Sequence, residues 1–439
     1  MDADTKETLA QIYRAAVAAV DPYASVMENL RLEPGVLVMG GARYPLTDIN
    51  DIYVIAAGKA AYGMARAAQD VLGELVTAGV AVTKDGHGGP LARMETFEAS
   101  HPVPDERGLV AAARIMELAA GAGESDLVIC LLSGGASSLM VLPAHGITLQ
   151  DKQAVTRLLL SSGSDIAEIN CVRKHLSAVK GGRLAEAAYP APVASLIISD
   201  VIGNDPGVIA SGPTAPDETT FSQAMDILQM RGVYERVPDS VRTHLKRGVA
   251  GLVDESPKPG SHVFERVNNL VVASNTAALR KAKEVAGYLG YHAAIIDPAV
   301  SGEARDAGRA IAEAAIRYRR EGGNTPACLI FGGETTVTIR GNGLGGRAQE
   351  TALSFARAAD GVRGVSALFA GTDGTDGPTD AAGAFADGAT VADASDMGLG
   401  AGEYLSGNDS YHFFKATGGL FIPGPTGTNV MDIGIVLVR

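Results

Sequence analysis

The sequence lacks several features that would point to particular classes of protein. It has no Trp and three cysteines, Cys130, Cys171 and Cys328, which form neither a CxxC motif nor a disulfide framework. That pattern is typical of a reducing compartment. No run reaches the roughly 18 apolar residues of a membrane-spanning helix. Residues 1–30 have the mixed pattern of an amphipathic helix and not that of a signal peptide. We therefore expect a cytoplasmic protein without a membrane partner.

Basic residues are also scarce. The chain has 37 Lys and Arg against 50 Asp and Glu, which gives a formal net charge of −13. Nucleic-acid binding that is independent of sequence needs a basic surface, so no nucleic-acid partner is expected. A small anionic substrate stays open, because a local basic cluster can outweigh the overall field inside a cleft.

Glycine, by contrast, is abundant, and apolar residues are numerous enough for large cores. The 439 residues include 54 glycines, and 46% of the chain is hydrophobic. At about 150 residues per domain, the length suggests two or three domains. Many glycines allow tight turns and close approaches of the backbone. Such approaches suit phosphate and dinucleotide sites.

Short apolar runs alternate with longer alanine-rich stretches, which predicts an α/β protein with a mostly parallel sheet. Expected strands in the first half lie at 52–57, 127–132 and 196–199. The segment 253–262 is polar and contains Pro and Gly, which indicates a linker. Further strands are expected at 270–273, 292–296, 328–331, 335–339, 366–370 and 433–438. The sequence therefore predicts two α/β domains, residues 1–255 and 256–439.

The first two predicted strands each lead into a glycine turn, and ligands of open α/β sheets bind beyond the carboxyl ends of strands. Lys59 starts a helix after the first strand, where it can contact an anion together with free N–H groups. The alternative interpretation is that Lys59 is an exposed lysine at a helix start without a ligand. Ser133, Gly134, Gly135 and Ser137 follow the next strand and can offer backbone N–H groups to a ligand oxygen. The alternative interpretation is that these residues form only a tight turn with a Ser N-cap.

Two further segments of the first half carry polar groups. Arg173 and Lys180 belong to a local basic cluster, which suits an anion site or, alternatively, a solvated helix face. Asp200 and Asn204 follow the strand that ends at 199. Their oxygens suit Mg²⁺, although Asx residues are also common turn formers.

The second half contains three glycine-rich loops. Glu334 follows one predicted strand, and Arg347 follows the loop 341–346, which matches GxGxxG. A dinucleotide fold would place an acid at the end of the next strand, whereas Asp360 precedes that strand. Asp373 and Asp376 lie in a loop that suits Mg²⁺ or Ca²⁺, but without EF-hand spacing; a surface turn is the alternative. A compact polar loop before the last strand contains Asn429.

These loops, taken in order, resemble those of the class II glycerate kinase family, also called the MOFRL family. The likeness spans nearly the whole chain. The matching segments are AAGKA (56–60), HPVPD (101–105), LLSGGASSL (131–139), NCVRKHLSAVKGGRLA (170–185), SDVIGNDPGVIASGPT (199–214), GGETTV (332–337), GLGGRAQE (343–350), AGTDGTDGPTDAAG (370–383) and GPTGTNV (424–430).

The resemblance implies a fold and an activity. The fold is a Rossmann-like N-terminal domain with a mostly parallel sheet, a smaller C-terminal α/β domain of MOFRL type, and an active site in the cleft between them. The activity is ATP-dependent phosphorylation of D-glycerate to 2-phosphoglycerate with Mg²⁺. An NAD(P)H-dependent hydroxypyruvate reductase is the alternative, since some members carry that label. A sugar-acid sensor without turnover is a third class, and a homodimer stays open.

The site hypothesis assigns each candidate a role. Lys59, Arg347 and Asp200 are the expected catalytic residues, the first two because the family pattern places them in the cleft. Asp373 and Asp376 are the expected metal ligands, although the division of metal binding and proton acceptance among Asp200, Asp373 and Asp376 stays open. The expected substrate- or phosphate-binding residues are Ser133, Gly134, Gly135, Ser137, Arg173, Lys180, Asn204, Glu334 and Asn429.

Overall fold

The chain folds into two compact units. The computed structural model describes residues 1–321 and 325–439. The central unit comprises Pro22–Val272, and the terminal unit comprises Met1–Asp21 with Ala273–Arg439. Within the described residues, no helix is both long enough and apolar enough to cross a membrane.

Both units contain helices and strands. The α-helices are α1 (Ala3–Ala18), α2 (Pro22–Asn29), α3 (Ala61–Leu72), α4 (Glu106–Ala120), α5 (Ala136–Leu139), α6 (Leu149–Ser161), α7 (Ile166–His175), α8 (Arg183–Ala188), α9 (Phe221–Met230), α10 (Asp239–Val249), α11 (Asn275–Tyr288), α12 (Ala304–Glu321), α13 (Arg347–Ala358), α14 (Thr390–Asp396), α15 (Ala401–Ser406) and α16 (Ser410–Thr417). The strands are β1 (Leu30–Glu33), β2 (Val36–Met39), β3 (Ala42–Pro45), β4 (Ile52–Ala57), β5 (Val76–Lys84), β6 (Met94–Ala99), β7 (Leu127–Leu132), β8 (Val193–Ile198), β9 (Val267–Ala273), β10 (His292–Val300), β11 (Ala327–Gly333), β12 (Val365–Gly371), β13 (Gly383–Asp387), β14 (Leu420–Phe421) and β15 (Asp432–Val438).

The central unit is built on a six-stranded sheet in the order β6-β5-β4-β7-β8-β9. Strands β4, β5, β6, β7 and β8 pair in parallel. Every residue of β7 and β8 is buried, as expected for parallel strands covered on both faces by helices. A separate helical layer of α6, α7, α9 and α10 packs around Phe221. The predicted α/β class with a mostly parallel sheet is confirmed.

The terminal unit contains a mixed sheet in the order β10-β11-β15-β12-β13-β14. Strand β15 runs antiparallel between β11 and β12. Because β15 starts where its neighbours end, Asp432 lies opposite both Gly333 and Gly371. The first residue of β15 and the segments that follow β11 and β12 therefore share one edge of this sheet.

The units divide the chain at 21/22 and 272/273, whereas the sequence predicts a division near residue 255. Strand β9 follows the polar segment 253–262 but joins the sheet of the central unit. The predicted single N-terminal helix is two helices, and Pro22 begins the second, a position that suits proline. The predicted strand 335–339 is wrong, because only Thr336 bridges there, to Glu303.

Helix α13 begins at a buried carboxylate. Asp376 Oδ1 accepts from the Ala348 N–H at 3.1 Å, and Oδ2 accepts from the Gln349 N–H at 2.8 Å. A Cβ at Gly346 would overlap the Asp376 carboxylate, so glycine is needed for this approach. Burial, together with the nearby Asp432, raises the pKa of Asp376 to about 7 despite these hydrogen bonds.

The raised pKa predicts that Asp376 makes the fold less stable as pH rises from about 4 to about 7. In that window the folded chain holds a proton that the unfolded chain releases near pH 3.8. Each pH unit should then cost up to about 1.4 kcal/mol. We expect the urea midpoint of Asp376→Asn to decline less with pH than that of the wild type. Parallel pH profiles for the two proteins would contradict the assignment.

Candidate active site

Two strand-end turns of the central unit lock together at the carboxyl ends of β4 and β7. The Lys59 N–H donates to the Gly134 carbonyl at 2.8 Å, and Ser133 Oγ accepts from the Ala60 N–H at 3.1 Å. A side chain at Gly58 would overlap Ser133, and its φ of +128° also favours glycine. The glycines that the sequence places after these two strands therefore serve a close backbone approach.

Asp200 and His101 join these turns. A Cβ at Gly134 would overlap the Asp200 carboxylate, so this carboxylate lies directly over the glycine. A Cβ at Gly135 would lie 3.1 Å from Lys59 Cγ and 3.2 Å from His101 Nε2. The structure thus brings Lys59 and Asp200 to the Ser133–Gly135 turn, as the position of each after a parallel strand predicts.

The same turn offers unused backbone donors. The N–H groups of Gly134 and Gly135 donate to no acceptor in the part of the chain that the structure describes. Gly135 has φ +84° and leads into the single turn of α5. Successive N–H groups in a turn are able to form an anion-binding concavity.

A cluster of three cations, two of them buried and Arg173 partly exposed, lies behind α5. Lys180 has no exposed surface, and its Nζ donates to the Ser137 carbonyl at 2.6 Å and to the Met140 carbonyl at 3.5 Å. Arg173 Nη2 donates to the same Ser137 carbonyl at 3.3 Å. Lys152 is also buried, and its Nζ donates to the Leu176 carbonyl at 3.0 Å. Among the described residues, none of these three cations forms a salt bridge, whereas the neighbouring Lys174 pairs with Asp217.

Burial changes the proton affinity of these cations. It lowers the pKa of Lys152 to about 7, with Arg173 adding like charge. It also lowers the pKa of Lys180 well below its usual value, to which Arg173 and Lys152 contribute. The pKa of Arg173 falls for the same reason, burial. Full burial keeps Lys180 from touching a ligand, so its contacts are those of a group that holds backbone.

Ser137 and Asn204 occupy different surroundings. Ser137 Oγ lies 2.8 Å from Ser211 Oγ, and Ser211 Oγ in turn donates to Asn170 Oδ1 at 3.1 Å. Ser211 has φ +61°, which is unusual for a residue with a side chain. Asn204 also has positive φ, +56°, in the turn closed by its N–H to the Val201 carbonyl. Asn204 is thus a turn residue by its contacts.

In the terminal unit, one guanidinium is held by two carboxylates at the shared sheet edge. Arg347 Nε and Nη2 donate to the two Asp432 oxygens at 2.7 and 3.0 Å, and Nη1 donates to Glu334. Burial disfavours the charged guanidinium, but Asp432 and Glu334 outweigh it and raise the pKa of Arg347 above its usual value. Bidentate pairing fixes the plane of the guanidinium.

The predicted metal ligands differ in how they are held. Asp373 Oδ1 accepts from the N–H and the hydroxyl of Thr375, both at 3.1 Å. Both oxygens of Asp376 accept from the start of α13. Asn429 Oδ1 accepts from the Met431 N–H at 3.3 Å, in a loop whose Thr426 bonds to the Thr372 and Asp373 carbonyls. No group of three or more His, Cys, Asp or Glu side chains among residues 1–321 and 325–439 could hold a metal ion.

The GxGxxG loop, 341–346, donates three of its N–H groups to the protein itself. The Gly343 N–H bonds to the Gly407 carbonyl at 3.0 Å, and the Leu344 N–H bonds to Asp409 at 2.8 Å. The first turn of α13 is capped by Asp376. The expected strand in front of the loop is absent, since residues 337–340 have no strand pairing. The strand–turn–helix context of a dinucleotide fingerprint is therefore missing.

Sequence reasoning missed Asp432 and marked His101 only as part of the HPVPD segment. Asp432 falls at the first position of an apolar strand, where no motif marks it. Its signal is the antiparallel insertion of β15, which no local pattern reveals. His101 stands in a short Pro-containing loop that only the fold brings to Gly135. Lys152 lies within an amphipathic helix pattern, and its burial is a tertiary property.

Comparison with known proteins identifies relatives over the full length. Residues 8–246 match the domain of unknown function DUF4147, and residues 327–432 match the MOFRL family. The D-glycerate 2-kinase of Thermotoga maritima is 43% identical over 99% of this chain and 98% of its own. A putative hydroxypyruvate reductase of Agrobacterium vitis is 42% identical over 100% of this chain and 95% of its own.

A solved structure agrees with these matches. The crystal structure of glycerate kinase from Thermotoga maritima superposes with a TM-score of 0.86 at 42% identity and covers all of both chains. The resemblance drawn from the ordered loops is confirmed. The chain belongs to the DUF4147–MOFRL family, which includes these glycerate kinases.

Proposed function

We propose that the protein is a kinase that transfers a phosphoryl group from ATP to D-glycerate and forms 2-phosphoglycerate. The observation that carries the proposal is the anion-binding turn at 133–135, with Lys59 and Asp200 beside it. Full-length relatives named as glycerate kinases support the same reaction. Phosphoryl transfer depends on positioning and charge stabilisation more than on covalent chemistry, and this turn with its neighbours supplies groups for both.

In the central unit, the turn and its neighbours hold the acceptor side of the reaction. The Gly134 and Gly135 N–H groups bind oxygens of the transferred phosphoryl group or of the substrate, and Lys59 neutralises charge that develops there. Asp200 accepts the proton of the 2-hydroxyl group. Arg173 is partly exposed and uses one nitrogen on the Ser137 carbonyl. Its remaining donors suit the substrate carboxylate.

In the terminal unit, Arg347 serves as a preorganised cation. Asp432 and Glu334 hold its guanidinium in one orientation, so little reorganisation is needed when negative charge develops on phosphate oxygens. Glu334 is exposed and Asn429 is partly exposed, so both are able to contact the nucleotide phosphates or the substrate.

Mg²⁺ fits this arrangement through Asp373. The ion is usually held by one or two carboxylates together with substrate phosphates, so a cluster of three acids is not needed. Asp373 is partly exposed, whereas Asp376 is buried with both oxygens bonded to the start of α13. Mg²⁺, when bound, would supply charge neutralisation at the phosphates of the nucleotide.

No observation favours the reductase alternative. In the glycine loop that would bind a dinucleotide, the N–H groups of Gly343 and Leu344 already bond to Gly407 and Asp409. The label on relatives such as the Agrobacterium vitis protein is a name and no more.

Two assays on the pure protein separate the three classes of function. With ATP, Mg²⁺ and D-glycerate, we expect formation of ADP and 2-phosphoglycerate, which NMR of the product distinguishes from 3-phosphoglycerate. With NADH or NADPH and hydroxypyruvate, we expect no oxidation above background. Nicotinamide oxidation without ADP formation would establish the reductase, and binding of glycerate without either reaction would establish a sensor.

Removal of the Lys59 charge should reduce turnover much more than stability. Lys59→Met keeps the aliphatic stem, and kcat should fall by about 10²-fold or more, the loss typical of one transition-state charge or donor. Lys246→Met, on the exposed face of α10, is the matched control. Two results would contradict the role of Lys59. One is a wild-type kcat in Lys59→Met, and the other is the same loss of kcat and of melting temperature in Lys59→Met as in Lys246→Met.

The two loop acids should differ in their effect on Mg²⁺. Asp373→Asn should raise the Mg²⁺ concentration needed for half-maximal activity by about tenfold, the effect typical of a weakened ligand shell. Asp376→Asn should leave that concentration unchanged, because its oxygens are bonded to α13. If Asp376→Asn alone shifts the Mg²⁺ requirement, the metal role belongs to Asp376.

Substitution of Arg347 should impair catalysis even when the positive charge is kept. Arg347→Lys keeps the charge but loses the bidentate contact with Asp432, so kcat should fall about 10²-fold with the fold intact. Arg357→Lys, one residue of the same helix with no role in the proposed site, is the control. Activity of Arg347→Lys close to that of the control would remove Arg347 from the mechanism.

A further inference from the structure

The ammonium group of Lys180 is placed where packing alone would not place it. Its side chain has no exposed surface, and it meets two carbonyls, Ser137 and Met140, at one end of α5. Burial of an ammonium group without a carboxylate partner is costly. Lys152 and Arg173 bring further positive charge, which raises the cost. An apolar side chain would fill the same space without that cost.

The Ser137 and Met140 carbonyls lie in α5 and at its end, and α5 directly follows the anion-binding turn at 133–135. Helix α5 is a single turn, closed by the Leu139 N–H to the Gly135 carbonyl and the Met140 N–H to the Ala136 carbonyl. Four residues have too few internal hydrogen bonds to fix their own geometry. A clamp at Ser137 and Met140 therefore also fixes where the Gly134 and Gly135 N–H groups point.

Among the described residues, Lys180 is the one cation that donates to both carbonyls. Arg173 shares the Ser137 carbonyl, at the longer distance of 3.3 Å and from a partly exposed position. Lys152, which is also buried, donates to the Leu176 carbonyl outside α5. The two lysines thus share residue type, burial and the absence of a carboxylate partner among the described residues, and differ in the backbone they hold.

We propose that Lys180 is a positioning residue: its buried ammonium group clamps the Ser137 and Met140 carbonyls and so orients the Gly134 and Gly135 N–H groups toward the reacting oxygens. The role in catalysis rests on the proposed kinase function, whereas the clamp itself does not. Lys180 touches no substrate. Its stabilisation is local to residues 133–140, and the global fold gains little from it.

The test compares Lys180→Met with Lys152→Met by hydrogen exchange and by kinetics. Both substitutions remove one buried ammonium group and keep the stem. In Lys180→Met, amide exchange in peptides covering 133–140 should rise at least tenfold while the melting temperature changes by only a few degrees. In Lys152→Met the exchange of those peptides should stay within about twofold of the wild type. Equal exchange at 133–140 in the two variants would overturn the clamp.

The kinetic arm tests the consequence of the clamp. For Lys180→Met, kcat should fall about 10²-fold, with a change in KM for D-glycerate of less than about tenfold, because misdirected donors affect the transition state most. Lys152→Met should keep kcat within a few-fold. Wild-type kcat in Lys180→Met, or a loss confined to KM, would overturn the positioning role.

The design separates the two hypotheses. If the wild type shows no kinase activity, the proposed function fails while the exchange measurement still decides the clamp. If Lys180→Met does not fold, Lys180→Gln places a neutral donor of shorter reach in the same space. It should also raise amide exchange at 133–140, because one amide group cannot hold both carbonyls as the ammonium group does. No rise in exchange there would overturn the clamp.

Discussion

The backbone hydrogen bond from Lys59 to Gly134 is the constraint on which the central-unit site depends. It joins the turns that follow two neighbouring parallel strands, and it needs glycine at 58 because any side chain would overlap Ser133. The pairing sets the start of α3, the path of the chain into α5 and the place left for the Asp200 carboxylate. A cation, a carboxylate and two unused N–H donors then lie at one sheet edge.

The terminal unit also brings charged side chains to one sheet edge, but through a different arrangement of strands. An antiparallel strand inserted between two parallel ones brings Asp432 to the segments that follow them, and Arg347 is held there at the start of α13. The buried Asp376 carboxylate accepts hydrogen bonds from the first N–H groups of the same helix. The start of this helix is therefore closed by the protein's own carboxylate, and Arg347, one of its first residues, presents the positive charge.

The sequence predicts those parts of the site that depend on local order. Lys59, the Ser133–Gly135 turn and Asp200 could be predicted because each follows an apolar strand, and parallel strands end at a common edge. The fold class follows from the same alternation. Asp432, His101 and the burial of Lys180 could not be predicted, since each depends on packing between distant segments. The path of β9 was missed for a similar reason: a strand carries no local sign of the sheet it joins.

Residues identified by spacing alone thus divide by burial into two kinds. Lys59 and Arg173 keep surface that a ligand can reach, whereas Lys180 and Asp376 are enclosed and hold backbone. Spacing finds both kinds because charged residues stand out in an apolar sequence, whether they face a ligand or a carbonyl. The raised or lowered pKa values of the enclosed groups reflect the same burial.

The most direct test of the account is a crystal structure with D-glycerate, ADP, Mg²⁺ and a metal fluoride that mimics the transferring phosphoryl group. The account predicts that the fluoride lies within hydrogen-bond distance of Lys59 Nζ and of the Gly134 or Gly135 N–H, with the 2-hydroxyl of glycerate facing Asp200. Ligands bound with the Ser133–Gly135 turn empty would contradict it.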